Sequence, residues 1–308
     1  MAYTSGLNPN VVRTALDAVF SQSFSGDRLP QMATAEDSAV FNQLTSDSNA
    51  EIVEIFKGVG RWDSRQEEQD VQGKTPRIGN QKTFSVVNFA ASVDIPKIFF
   101  DDQKHGSYEK MVQSMARRAR TTRDRNAMAV FRNAFGSETT ADAVSLINNS
   151  HTNLNGDTVD NRVTGAISES TLNDGLILLG EMRAQDGEVD GSMGRTLLVP
   201  LNRYKLACEI TGSELRSGTG NNDLNVYSDK YGLQIRTSPF LGAASGGSDI
   251  SWFLLSDDHS VNRYVRQGVQ TDLVDYKYQR NNSYVFKGEF REVVGALSHE
   301  GIVGSNGS

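Results

Sequence analysis

Between Asp63 and Asn80 the chain runs DSRQEEQDVQGKTPRIGN, eighteen residues almost without apolar content. On either side lie IVEIFKGVGRW (52–62) and KTFSVVNFAASVDI (82–95), rich in the Val, Ile, Phe and Trp residues that favour strands. Connections inside compact domains are usually short. Two strand-forming segments joined by so long a polar excursion therefore predict a two-stranded hairpin that projects from the body. A compact enzyme rarely carries so long a polar excursion without a use for it.

The second constraint is a helical pattern over roughly Ser107 to Phe135. Tyr108, Met111, Met115, Ala119, Asn126, Val130 and Ala134 or Phe135 follow the 3.6-residue period, with Thr122 as a polar interruption. At 1.5 Å per residue the rod would be on the order of 40 Å long. Asp101 and Asp102 suit its start, Ser107 an N-cap and Gly136 its end. From Lys104 to Arg132, eight basic residues against two acidic leave a local +6, while the whole chain carries −7. The rod's arginines Arg117, Arg118, Arg120, Arg123 and Arg125 thus form either a face bridged to acidic neighbours or a surface toward a polyanion or a partner subunit.

Before the hairpin, Val12, Leu16 and Val19 give a short amphipathic helix over Val11 to Phe20, an arm in search of a surface; residues 35–56 are regular, helix or strand. After the rod comes a loop-rich connector with a short hairpin (137–170), then a helix from Ser170 to about Gln185. TLLVPL (196–201) reads as a buried strand, followed by a helix capped by Asn202. WFLLSD (252–257) is a further strand, and VQTDLVDYKY with YVFKGEFREVVGALS forms an antiparallel ribbon turning at Gln279 to Ser283. Polar loops at 217–223 and 242–249 bracket YGLQIRTSPF. The class is α+β, without an internal repeat.

Chemistry is hard to find. His105, His151, His259 and His299 are widely spaced and make no metal-binding pair, so only a composite zinc site from distant residues would remain. Gly73-Lys74-Thr75 ends like a phosphate loop, but Glu68 stands where the first glycine belongs. No dinucleotide fingerprint or nucleophile elbow occurs. The single cysteine, Cys208, reads as a buried inert thiol in an amphipathic helix. No apolar run approaches the ~20 residues of a membrane span, and an acidic chain argues against a dedicated nucleic-acid binder. Neither a catalytic set, a metal nor a cofactor is expected.

Four stretches carry a resemblance: VVNFAASVDIPKIFFDDQKHGSYEKMVQSMARRARTTRD (86–124), SLINNSHTNLNGDTVDNRVTGAISESTL (145–172), RTLLVPLNRYKLACEITGSELRSG (195–218) and FKGEFREVVGALSHEGIVGS (286–305). In this order they resemble major capsid proteins of tailed phages with the Hong Kong 97-type fold, and more narrowly the Mu-like major head proteins. The resemblance implies an N-terminal arm (1–49), an extended loop (50–92), a peripheral domain with the spine helix (93–141), an axial domain (142–262), a peripheral return ribbon (263–298) and a C-terminal segment (299–308). It implies a shell of hexamers and pentamers in the virion, assembled in the host bacterial cytoplasm around double-stranded DNA. Partners would be further copies of the chain, a portal protein, a separate scaffolding protein, a decoration protein in some particles, and DNA through nonspecific contacts, with no membrane. An encapsulin-like shell around an enzyme cargo is the alternative.

On that resemblance, Arg61, Trp62, Arg65, Glu67, Glu68, Lys74 and Arg77 are the expected subunit contacts of the extended loop. Asn221, Asn222, Asp223, Ser245 and Asp249 are the expected axial-domain tips. Lys57, Lys74 or Lys82 could reach a neighbour, but no glutamate and asparagine set for a covalent crosslink is identifiable, and none is expected.

Overall fold

A computed structural model describes residues 9–26, 28–67, 70–71, 73–98, 105–212, 227, 232–275 and 282–308. Two four-stranded sheets organise it. The peripheral sheet has the order β1 (Asn42–Thr45), β10 (Val261–Val274), β11 (Ser283–Ala296), β4 (Val87–Pro96); β1 runs parallel to β10 and the other pairs are antiparallel. The axial sheet has the order β12 (Ile302–Ser305), β9 (Trp252–Ser256), β7 (Gly194–Pro200), β8 (Gln234–Ser238). Two further pairs stand apart, β2 (Ala50–Lys57) with β3 (Arg77–Ser85), and β5 (His151–Thr152) with β6 (Thr158–Val159).

The continuous apolar runs TLLVP and WFLLS are strands covered on both faces. Successive side chains of a strand point to opposite sides. Accordingly Leu197, Val199, Trp252 and Leu254 enter one core with Leu172 and Leu179 of α4 (Glu169–Gly180) and Ala207 of α5 (Leu201–Gly212). Leu198, Phe253 and Leu255 enter the other, with Phe41, Met128 and Phe131. That second core joins the two sheets, its Phe131 ring centred 5.2 Å from Phe253 and 5.9 Å from Phe41. Gly175 lets α4 approach closely, since a Cβ there would lie 3.0 Å from Trp252 and Leu254.

The rod is shorter than its periodicity predicts. α2 spans His105–Ala127, about 34 Å, and after a turn at Met128 a single turn, α3 (Ala129–Arg132), continues. Met128, Phe131 and Ala134 leave the helical line to fill the shared core, and the Arg132 guanidinium donates to the carbonyls of Arg125 and Phe240, satisfying a helix-end acceptor. Ser107 lies inside α2 rather than capping it, and Asp101 and Asp102 are outside the described residues. The buried stripe runs through Tyr108, Val112, Met115 and Ala116, leaving Met111 exposed.

The arm lies on its own chain. In α1 (Pro9–Phe24), Val12, Leu16 and Phe20 pack against α2, β4 and β11. Beyond it, Ala33 donates to the Thr237 carbonyl, and Val40 and Phe41 are wholly buried in the shared core. Further boundaries also move. α4 starts at Glu169, capped by Ser168, and stops at Gly180 rather than near Gln185, and α5 already starts at Leu201, so Asn202 lies inside it. Cys208 is only half-buried there. The second strand segment of the hairpin divides at Val86, whose N–H bonds the Asn49 carbonyl: β3 stays with β2, while β4 joins β11 in the peripheral sheet. Among the described residues no helix is long and apolar enough to cross a membrane.

Candidate subunit-contact surfaces

The β2–β3 hairpin is amphipathic as a strand pair should be, but only one of its faces is covered. Ile55 and Phe84 are buried against the body. On the other face Phe56 and Ile78 oppose each other in register at 59% and 65% exposure, with Ile52 beside them. Toward the tip, Trp62 is 88% exposed and Val71 is also open; they help line a concavity of about 560 Å³ with Val59, Arg65 and Lys74. Of the residues expected here, Arg61, Trp62, Arg65, Glu67, Lys74 and Arg77 are all exposed, and Glu68 is outside the described residues. Lys74 ties the tip internally, bonding the Arg61 carbonyl and pairing with Asp63 at 3.3 Å.

Among the described residues, bonds from Lys82, Lys57 and Gly60 tie the hairpin to its own subunit. Lys82 Nζ reaches Glu138 Oε1 at 2.9 Å and the carbonyls of Thr139 and Ala296. Lys57 Nζ bonds Asn155 Oδ1 at 3.0 Å, and the Gly60 N–H donates to Asp186 Oδ2 at 3.1 Å. Lys57 and Lys82 therefore make contacts within their own chain.

The basic face of the rod divides in two. Arg123 is buried, 2.8 Å from Glu36 and 3.4 Å from Glu292, the latter also gripped by Arg263. Arg120 donates to the Gly26 carbonyl at 3.1 Å. Both hold the arm and sheet of their own chain, so they are not part of an outward basic surface. Arg117, Arg118 and Arg125 are exposed, and none has an ion pair among the described residues. Arg118 also helps line a groove of about 500 Å³ between α2 and β4, with Phe89, Val93, Met111, Met115 and Phe290. Charge pattern alone could not sort these arginines, because the partner Glu292 comes from β11, far along the chain.

Of the five expected axial tips, Ser245 and Asp249 are described. Asn221, Asn222 and Asp223 are outside the described residues. The 242–249 loop follows β8. Ser245 lies in a short 3-10 turn, Ala243–Ser245, and Asp249 Oδ1 accepts from the Ala243 N–H at 2.8 Å, a closed loop beside Arg132.

A cluster that the sequence did not announce is Asp142, His151 and His299, whose donor atoms lie within 4.8 Å of one another. The two imidazoles stack with centroids 4.4 Å apart and planes 20° from parallel. Burial opposes ionisation of Asp142, but bonds from His151, Thr140 and the Val144 N–H outweigh it and hold the carboxyl well below the usual range. No spacing in the sequence links the two histidines, which meet only when the C-terminal segment folds beside β5.

Comparison with known proteins places this geometry. Residues 81–304 match the family described as "Phage capsid protein", and no curated protein matches the chain. Among solved structures, the mature capsid of bacteriophage PhiM1 is similar at 12% identity with a TM-score of 0.56, covering 91% of this chain and 88% of that one. The capsid of cyanophage P-SCSP1u is similar at 13% identity and TM-score 0.55, covering 91% and 90%. A virus-like particle from Pyrococcus furiosus aligns at 11% identity and TM-score 0.52, covering 95% and 98%. At these identities the structures speak for the fold, which is the Hong Kong 97-type capsid fold. With the match extending from β3 to β12, the chain belongs to the phage capsid protein family.

Proposed function

We propose that this capsid protein is the major head subunit of a tailed bacteriophage, a structural component of the virion that assembles with copies of itself into hexamers and pentamers around double-stranded DNA. The observation that carries the reading is the open face of the hairpin. Ile52, Phe56, Ile78, Trp62 and Val71 are apolar side chains left exposed among the described residues, and exposed apolar patches mark interaction sites. Neighbouring copies supply the cover, with Arg61, Arg65, Glu67, Lys74 and Arg77 as the polar rim of that contact. The domain limits proposed are an arm to residue 49, a hairpin from 50 to 85 and a peripheral domain from 87 that includes β4, followed by an axial domain (142–262) and the return ribbon (263–298).

Arg117, Arg118 and Arg125 would face either packaged DNA or acidic parts of a neighbour, through contacts that are nonspecific and salt-sensitive. Assembly in the host cytoplasm with a separate scaffold, and incorporation of a portal, complete the reading. The test is co-expression with the scaffolding protein. Megadalton particles visible by electron microscopy are the expected result, and a chain that stays monomeric under all such conditions contradicts it.

A further inference from the structure

His151 Nδ1 lies 2.8 Å from Asp142 Oδ2, and its Nε2 lies 3.2 Å from the Leu146 carbonyl oxygen. Both neighbours are acceptors, so a ring that satisfies both carries a proton on each nitrogen. The Asp142 carboxylate also accepts from Thr140 Oγ1 and from the Val144 N–H. Three donors thus converge on it. His299 lies against this ion pair at 2% exposure, and its Nε2 is buried without a hydrogen-bond partner among the described residues.

The same three residues have the spacing of a metal cluster, but their geometry is different. A metal ion sits near the plane of each imidazole that binds it, and two rings stacked at 20° direct their lone pairs side by side rather than to one point. Both nitrogens of His151 are also spent as donors. The arrangement is a proton-holding pair with a neutral ring laid on it.

Above it sits the hairpin. A cavity of about 10 Å³, close to the least space that holds one water, is lined by Thr140, Asp142, Ser298 and His299 from the body and by Ile55 and Asn80 from β2 and β3. We propose that this cluster is an acid-sensitive latch: proton uptake by His299 loosens the β2–β3 hairpin from the body of the subunit. A second positive ring stacked on His151 is repelled by it. Asp142 already accepts three hydrogen bonds, so a charged His299 gains its missing partner from water. Ile55 and Asn80 wall the cavity through which that water enters, and they lift.

The charged groups around His299 decide the sign. The 139–146 loop supplies Asp142 and β5 supplies His151. The segment of His299 itself supplies Glu300, bonded to Ser298 and Gln185. The hairpin supplies Lys82, bonded to Glu138. Burial first, then His151, push the His299 ring down to about 4 against the opposing pull of Asp142. A histidine depressed in the closed state stabilises that state fully above its free value near 6.5. The contribution falls as pH drops and levels off once the closed state also binds the proton, near pH 4. Glu300 is pushed up by burial, so its protonation acts in the opposite direction and favours the closed state on acidification.

The latch goes beyond the assembly reading and does not depend on it, because every group lies in one chain. It is tested on the soluble full-length subunit by hydrogen–deuterium exchange between pH 7 and pH 4, corrected for intrinsic rates. The expected result is that opening of residues 50–57 and 77–85 rises by about tenfold per pH unit below 6.5, on the order of a hundredfold in all, while β7 and β9 stay protected. His299→Phe keeps the ring and removes the proton site, and should flatten the response. A flat wild-type profile, the same slope in His299→Phe, or equal loss of protection in β7 and β9 would each overturn the proposal. Should His299→Phe not fold, ring titration by NMR decides it in the wild type. With the resonances assigned, a His299 midpoint well below 6 supports the latch, and a His299 midpoint between 6 and 7 overturns it.

Discussion

Strands β7 and β9 and the hairpin β2–β3 are built from the same kinds of residue and end in opposite situations. Leu197, Leu198, Trp252 and Phe253 are covered on both faces by helices and by the core shared with the peripheral sheet. Phe56, Ile78 and Trp62 stay exposed among the described residues, although Ile55 and Phe84 on the reverse face are buried. Strand propensity is the same in both regions. What differs is whether one chain can complete the packing, and in the hairpin it completes half.

The contrast can be broken from either side. Phe253→Ala should cost about 3–5 kcal/mol by the loss of a fully buried ring and the cavity left behind, read as a lower midpoint in denaturant. Of similar size is Glu292→Ala, which leaves the guanidiniums of Arg263 and Arg123 buried without their shared carboxylate, again about 3–5 kcal/mol. Lys82→Ala removes a charged donor from one carboxylate and two carbonyls at the hairpin base. We expect a loss of about 1.5–3 kcal/mol, with faster amide exchange in β2 and β3 than in β9. Trp62→Asp and Arg118→Glu should change subunit stability by less than about 0.5 kcal/mol. Trp62→Asp should nonetheless abolish particles in the co-expression assay, and Arg118→Glu should reduce head assembly or DNA retention. Arg120→Glu, by contrast, should destabilise the free subunit, because Arg120 holds Gly26 of the arm.

Much of the fold was legible because it rests on local periodicity. Two continuous apolar runs announced the doubly covered strands, the alternation from Val269 announced the ribbon, and the polar stretch from Asp63 announced the hairpin. Less legible were features decided by distant partners. The rod ends at Ala127 because Met128 and Phe131 are claimed by a core that includes Phe41 and Phe253, and periodicity within the helix carries no trace of that claim. Its arginines look alike in sequence, yet Arg123 turns in to Glu292 while Arg118 turns out. The amphipathic pattern of the arm announces a need for a surface but not which one, and α1 finds it on α2 of its own chain. The cluster of Asp142, His151 and His299 has no sequence mark, since its members meet only through the path of the C-terminal segment.

The central claim is that the outward face of the hairpin is completed by a neighbouring subunit. Hydroxyl-radical footprinting of Trp62, with the buried Trp252 as internal reference, measures this directly in the free subunit and in the assembled particle. Trp62 should oxidise freely in the subunit and at least about tenfold more slowly in the particle, as expected for a residue moved from the surface into an interface core. Equal oxidation of Trp62 in both states would contradict the account.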